Sequence, residues 1–304
     1  MTPEEKLVSR ALGRAGRTRA VPGDLRLCSQ VLNAGDSVIS EVTGPKHVLE
    51  DALDSMIAAA GEQGAEPVTL VHTQPPKDMA REEAERLAQA AAETGIRRAC
   101  FAGPQTAELP AFPAALRRHG VSVTTDLCRA EALVLNEAPL VRAATGRPFV
   151  HLFAVQSIDG RLIRRGDPAI PQDVAVFRST LSREYDLFLE AGVPEFTERI
   201  AAGRWDRLTL VYLDELRPRG EDSIGDLGVR EMSDTRSLEG AAWYSLGPAL
   251  LLSGYRSLAE TFGSLWGEQD PTGALPLYAF GVTEVEIETG SSSLLRQLNA
   301  GGLS

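Results

Sequence analysis

The chain lacks any long apolar run. No stretch approaches the roughly 18 uninterrupted apolar residues of a membrane span, so no membrane anchor is expected. Cysteine is scarce: 304 residues carry only three, Cys28, Cys100 and Cys128, spread singly. An odd, scattered set excludes a disulfide framework and suits reduced, mostly buried thiols. None forms a C-x-x-C pair, so cysteine-held zinc has no support. Positive charge is short as well, with 31 Lys and Arg against 42 Asp and Glu and a formal charge of −11. Phosphate backbones are bound by clustered basic surfaces, so a nucleic-acid partner is not expected. The densest basic stretch, Arg10, Arg14, Arg17 and Arg19, reads as a solvated helix face. The glycines at 220 and 225–228 are too scattered for a dinucleotide fingerprint. The N-terminus is charged and no signal-peptide core follows it, so a cytoplasmic location is expected. Internal repeats and low-complexity segments are missing too.

What is present is an ordinary globular composition, 43% hydrophobic, and enough length for two domains. Residues 3–15 carry Leu7, Ala11 and Leu12 at helical spacing behind Thr2, a candidate N-cap. Short strands are predicted at 25–32 and 37–42 around the turn Asn33-Ala34-Gly35-Asp36. A helix over 47–60, a strand over 68–72 and a helix over 81–94 that stops at Gly95 follow. A strand at 98–101, a helix at 114–119 and a strand at 121–124 complete a β-α-β alternation. That order predicts α/β layers with an at least partly parallel sheet. Beyond a loop at 144–148 the pattern resumes. It gives a strand at 149–156, a helix at 171–183 and a strand at 187–189. A helix at 195–202 and strands at 207–214 and 249–252 come next, then a helix at 258–266 and a weak strand at 284–288.

Several local phrases carry a resemblance. Arg147-Pro148-Phe149-Val150 precedes Ser157-Ile158-Asp159-Gly160, and Leu189-Glu190-Ala191-Gly192 and Arg204-Trp205-Asp206-Arg207 come later. Asp226-Leu227-Gly228-Val229 and Leu246-Gly247-Pro248-Ala249-Leu250 lie beyond them. Gly95-Ile96-Arg97-Arg98 and Gly120-Val121-Ser122-Val123 fall in the first half. In order and spacing, over about residues 5–257, these phrases resemble the bifunctional riboflavin-biosynthesis deaminase/reductase (RibD-like) family. The resemblance implies a cytidine-deaminase-like N-terminal domain over 1–144. It implies a shortened dihydrofolate-reductase-like domain over 147–257, with 258–304 as a C-terminal extension. It also implies a homodimer.

The departures bear on chemistry. A zinc deaminase needs three protein ligands and a glutamate that shuttles the proton. Here the family's H-A-E reads His47-Val48-Leu49, the position of its first thiolate is Lys77 and that of its second falls near Leu87. Glu50 lies one residue past the shuttle position, a rotation of about 100° on a helix. Zinc and deamination are therefore not expected. A substitute set of His47 and His72 with Glu50 or Asp51 is the alternative; the plainer reading leaves His47 a helix residue and His72 a polar strand end.

In the second half the resemblance points to Ser157, Asp159 and Gly160 as substrate-binding residues, with Asp159 and Ser157 as candidate catalytic groups. Glu190 and Gly192 would frame a cofactor site for NADPH. The plain alternative is that Ile158-Asp159-Gly160 only caps a strand. Phe153 stands where the family has Lys. The chain also passes from the helix at 171–183 directly to Leu189, without the family's Gly-Thr loop and neighbouring strands. Two functions fit: an enzyme acting on a (phosphoribosyl)aminopyrimidine or related heterocycle, its chemistry reductive or redirected, and a non-catalytic protein that binds such a metabolite or scaffolds a partner enzyme.

Overall fold

The computed structural model describes residues 2–16, 25–44, 46–61, 68–73, 79–103, 110–217, 219–222, 224 and 238–263; for 46–51 it gives only the backbone. The readings on Lys77, on Asp226 to Val229, on Leu265 and Trp266 and on the strand at 284–288 lie outside the described residues, as do the side chains of His47, Leu49, Glu50 and Asp51. The chain divides into two compact units, Met1–Glu137 and Ala138–Ser304.

In the first unit α1 (Pro3–Gly16) begins on a capping box. Thr2 Oγ1 accepts from the Glu5 N–H at 3.1 Å, and Glu5 Oε2 accepts from the Thr2 N–H at 2.6 Å. Strands β1 (Leu27–Leu32) and β2 (Val38–Gly44) join through a turn in which Asn33 Oδ1 accepts from Gly35 and Ser37 N–H, each at 3.0 Å. Then come α2 (Lys46–Gly61), β3 (Val68–His72), α3 (Arg81–Glu93), β4 (Ile96–Ala102), α4 (Ala111–Arg118), β5 (Ser122–Leu127) and α5 (Arg129–Leu135). The sheet order is β2-β1-β3-β4-β5, with β1 antiparallel to both neighbours and β3, β4 and β5 parallel. Ala84, Leu87, Ala88 and Ala91 recur on one face of α3, and their small size lets that helix pack closely with Leu70, Ile96, Phe101 and Phe112. Each fully buried Leu or Phe there contributes about 1.5–3 kcal/mol.

The second unit holds α6 (Glu137–Thr145, one residue of which precedes the boundary), β6 (Val150–Ser157), α7 (Gln172–Glu184), β7 (Leu187–Glu190), α8 (Pro194–Ala202), β8 (Arg207–Leu213), β9 (Glu239–Leu246), β10 (Ala249–Tyr255) and α9 (Leu258–Phe262). Its sheet runs β7-β6-β8-β10-β9: β7, β6 and β8 are parallel, and β10 is antiparallel to β8 and β9. All of β6 is buried, as a strand covered on both faces must be. Leu152, Leu208 and Leu210 pack under Phe196 and Ile200 of α8 on one face. Phe153 meets Phe177 of α7 and Phe188 on the other.

The phrases Arg147-Pro148 and Trp205-Asp206 meet in space. Asp206 is buried and accepts two hydrogen bonds from Arg147, both at 2.7 Å, one from the Val150 N–H at 2.9 Å and one from the Thr261 hydroxyl at 3.3 Å. This carboxylate locks the starts of β6 and β8 together, which gives those phrases an architectural role. Helices α5 and α6 and strand β9 are additions to the elements expected from sequence. α5 starts directly after Cys128, in the left-handed region at φ 48°, with no capping side chain to announce it. β9 owes its register to β10, a tertiary partner that local patterning does not reveal.

Candidate functional site at the carboxyl edge of the second sheet

Parallel strands β7, β6 and β8 end at one edge, and the β9–β10 turn returns there because β10 runs against β8. In open α/β sheets this carboxyl edge is where ligands sit, since loops leaving adjacent strands diverge around a crevice. Ser157 ends β6 and Asp159 follows in a turn closed by the Gly160 N–H donating to Ser157 O at 2.9 Å. Gly160 sits at φ 82°, where a side chain would be strained.

Within that turn Ser157 Oγ accepts from the Arg161 N–H at 3.0 Å and donates to Asp159 Oδ1 at 2.5 Å. The Arg217 N–H donates to the same oxygen at 3.2 Å. The Ser157 hydroxyl, then that N–H, hold the Asp159 carboxyl below the usual carboxylate range. Asp159 is exposed, and no other described residue donates a hydrogen bond to its Oδ2. The result is a fixed anion with one open oxygen.

Ion pairs pin the surrounding loops. Arg217 donates to Asp167 Oδ2 at 2.8 Å and Glu215 Oε1 at 2.5 Å, Arg164 to Glu221 Oε2 at 2.5 Å, and Arg161 pairs with Asp222. Arg217 also holds the Asp167 carboxyl below its ordinary range. Backbone bonds from the Ile158 N–H to Glu215 O and the Leu162 N–H to Glu221 O, at 3.0 and 2.8 Å, make the two loops one rim. Ile158 and Leu216 stand exposed on it at 60% and 72%.

All five residues singled out in the second half come to this edge. Ser157, Asp159 and Gly160 form one turn. Glu190 ends the neighbouring β7, but its carboxylate lies 3.7 Å from Arg178 of α7, not in that turn. Gly192, at φ 94°, packs so closely that a Cβ would stand 3.1 Å from Leu162 and 3.2 Å from Arg164. That glycine therefore serves the approach of one loop to another. A dinucleotide pyrophosphate needs several backbone N–H groups and uncommitted cations. Around Gly192 the described arginines, Arg164 and Arg178, already face carboxylates. The described residues around Gly192 do not fit that cofactor. Sequence reasoning missed Arg217, Asp167, Glu215 and Arg164. The Arg217–Asp167 and Arg164–Glu221 pairs span 50 and 57 residues and follow no local spacing, while Glu215 lies two residues from Arg217.

In the first unit, Leu87 lies in the apolar core. His72 is buried at the end of β3 and stacked on Phe101 with 6.2 Å between ring centres; burial pushes its pKa down to about 4. Among the described residues no group of three or more His, Cys, Asp or Glu side chains is arranged to hold a metal ion. Burial raises the thiols of Cys28 and Cys128 to about 12 and that of Cys100 to about 11, so they are protonated and poor nucleophiles.

Two structures of RibD from Acinetobacter baumannii superpose with TM-scores of 0.61 and 0.60 at 16% and 17% identity, each covering 83% of this chain and 98% of the other. A Thermotoga maritima protein superposes at a TM-score of 0.58 and 16% identity with the same coverage. It is described as a diaminohydroxyphosphoribosylaminopyrimidine deaminase and 5-amino-6-(5-phosphoribosylamino)uracil reductase. The fold is RibD-like. At such identities the likeness speaks for the fold alone. No family model and no curated protein matches the sequence. Among the described residues no helix is long and apolar enough to cross a membrane.

Proposed function

We propose that the chain recognises a small heterocyclic metabolite of the phosphoribosyl-aminopyrimidine class at the carboxyl edge of its second sheet. The observation that carries this reading is Asp159, an exposed carboxylate held ionised by Ser157 and the Arg217 N–H, with Oδ2 open. Such a group accepts the N–H pair of an aminopyrimidine or the hydroxyls of a ribose. Gly160 keeps the turn free of a side chain beside it. The RibD-like fold supports the ligand class, since the Thermotoga protein is described by its action on such compounds. In the same reading the first half is a deaminase-like unit whose shuttle and thiolate positions are Leu49, Lys77 and Leu87.

Binding without hydride transfer is the second reading. The packing of Gly192 against Leu162 and Arg164, which leaves no pyrophosphate cradle among the described residues, favours it. Calorimetry with 5-amino-6-(5-phosphoribosylamino)uracil tests the first reading. Affinity should fall about tenfold or more in Asp159→Ala, the scale of a charge-assisted hydrogen bond; equal affinity in the two proteins refutes the site. Adding NADPH separates the readings: steady loss of its absorbance means catalysis, and none means binding alone.

A further inference from the structure

We propose that the opposite edge of the second sheet holds a separate site for a phosphorylated small molecule. A cavity of about 460 Å³ opens there, and its wall includes Arg147, Arg199, Arg204, Asp206, Arg256 and Glu260. It sits where β6 begins, just ahead of β8 and just after β10, roughly 23 Å along β6 from Ser157. Set against the carboxylates of Asp206, Glu260 and Glu195, the four guanidiniums leave one positive charge over, a local reversal in a chain of charge −11.

Three of the four are held in place by carboxylates. Arg147 forks onto Asp206, Arg256 pairs with Glu260, and Arg199 donates to Glu195 at 2.9 Å. Arg204 is exposed, and its guanidinium makes no hydrogen bond or ion pair among the described residues. The end of α8 sets its position. Gly203 turns the chain at φ 63°, the Arg204 N–H donates to Arg199 O at 2.9 Å, and Arg199 Nη1 donates back to Arg204 O at 3.5 Å.

An arginine fork matches phosphate oxygens in pairs, and the Arg204 fork is the one of the four that faces no carboxylate among the described residues. The paired carboxylates Asp206 and Glu260 oppose an anion only weakly, because their charges are answered. The volume exceeds that of a bare phosphate and lies in the range of small-molecule pockets, ~300–1,000 Å³, so an organic body of sugar size fits beside it.

The test is calorimetry and thermal shift with ribose 5-phosphate and with ribose, at constant ionic strength, on the full chain. Ribose 5-phosphate should bind and raise Tm, and ribose should do neither. Arg204→Glu should weaken binding about tenfold or more, and Arg204→Gln, which removes the charge without adding repulsion, should also weaken it. Asp159→Ala should leave this binding unchanged, which separates the site from the one at the carboxyl edge. No binding, equal binding by the Arg204 variants, equal binding of ribose, or loss in Asp159→Ala instead would each overturn the proposal.

Discussion

Asp159 and Asp206 stand at opposite edges of the second sheet and differ in what is left over. Asp206 is 3% exposed and spends both oxygens on Arg147, the Val150 N–H and the Thr261 hydroxyl. Asp159 is exposed and spends one oxygen on Ser157 and the Arg217 N–H. A buried carboxylate with every lone pair answered is a fastener, because desolvation makes any missing partner costly. An exposed one fixed through a single oxygen is oriented and still available. The same side chain is structural at one edge and, in the function proposed, ligand-binding at the other, because of burial and leftover valence.

The largest expected effect attacks the fastener. Asp206→Ala leaves the buried Val150 N–H and Thr261 hydroxyl unpaired and takes the partner of Arg147 away, and should destabilise the protein by about 3–5 kcal/mol in chemical denaturation. A change close to zero would abolish the contrast.

Next in size is an acid effect on an enclosed group of the first unit. His72 has a pKa of about 4 when folded against 6.5 as its ordinary value. The unfolded chain therefore takes up the proton first, so stability is full above pH 6.5 and falls as pH drops towards 4, by roughly 3 kcal/mol. In His72→Leu the stability profile between those pH values should flatten, and an unchanged slope would assign it elsewhere. His151, also lowered by burial and then by Arg207, adds a loss of the same sign in the second unit.

Gly192→Ala comes third. Its φ of 94° and the 3.1 Å approach to Leu162 should cost about 1–3 kcal/mol, measured by denaturation. The smallest change in stability belongs to Asp159→Ala, which takes an exposed partner from the Ser157 hydroxyl and the Arg217 N–H, while affinity for the aminopyrimidine should fall about tenfold or more. Because its pKa is lowered, the carboxylate stays ionised through the neutral range. Ligand affinity should then be flat there and decline only as pH falls through the lowered value. A decline beginning near neutrality would point to another group.

Much of the architecture was legible along the chain. The apolar spacing of α3, the Thr2 cap and the Asn33 turn are local events, and local residues announce them. The turn Ser157-Ile158-Asp159-Gly160 was legible for the same reason. Arg217 was not, because Asp167 and the Asp159 carboxylate face it only once two loops lie side by side. Gly192 was legible as a glycine but not as a contact of Leu162 and Arg164.

The sequence by itself determined the alternation of helices and strands, the acidic balance and the thiols without partners. These depend on residue type and on spacing within a few turns. The tertiary structure alone decided that Arg147 fastens Asp206 across 59 positions and that Asp159 keeps an oxygen open. It also decided that four arginines surround one cavity. Strand order and burial settle those questions, and neither is written in local periodicity.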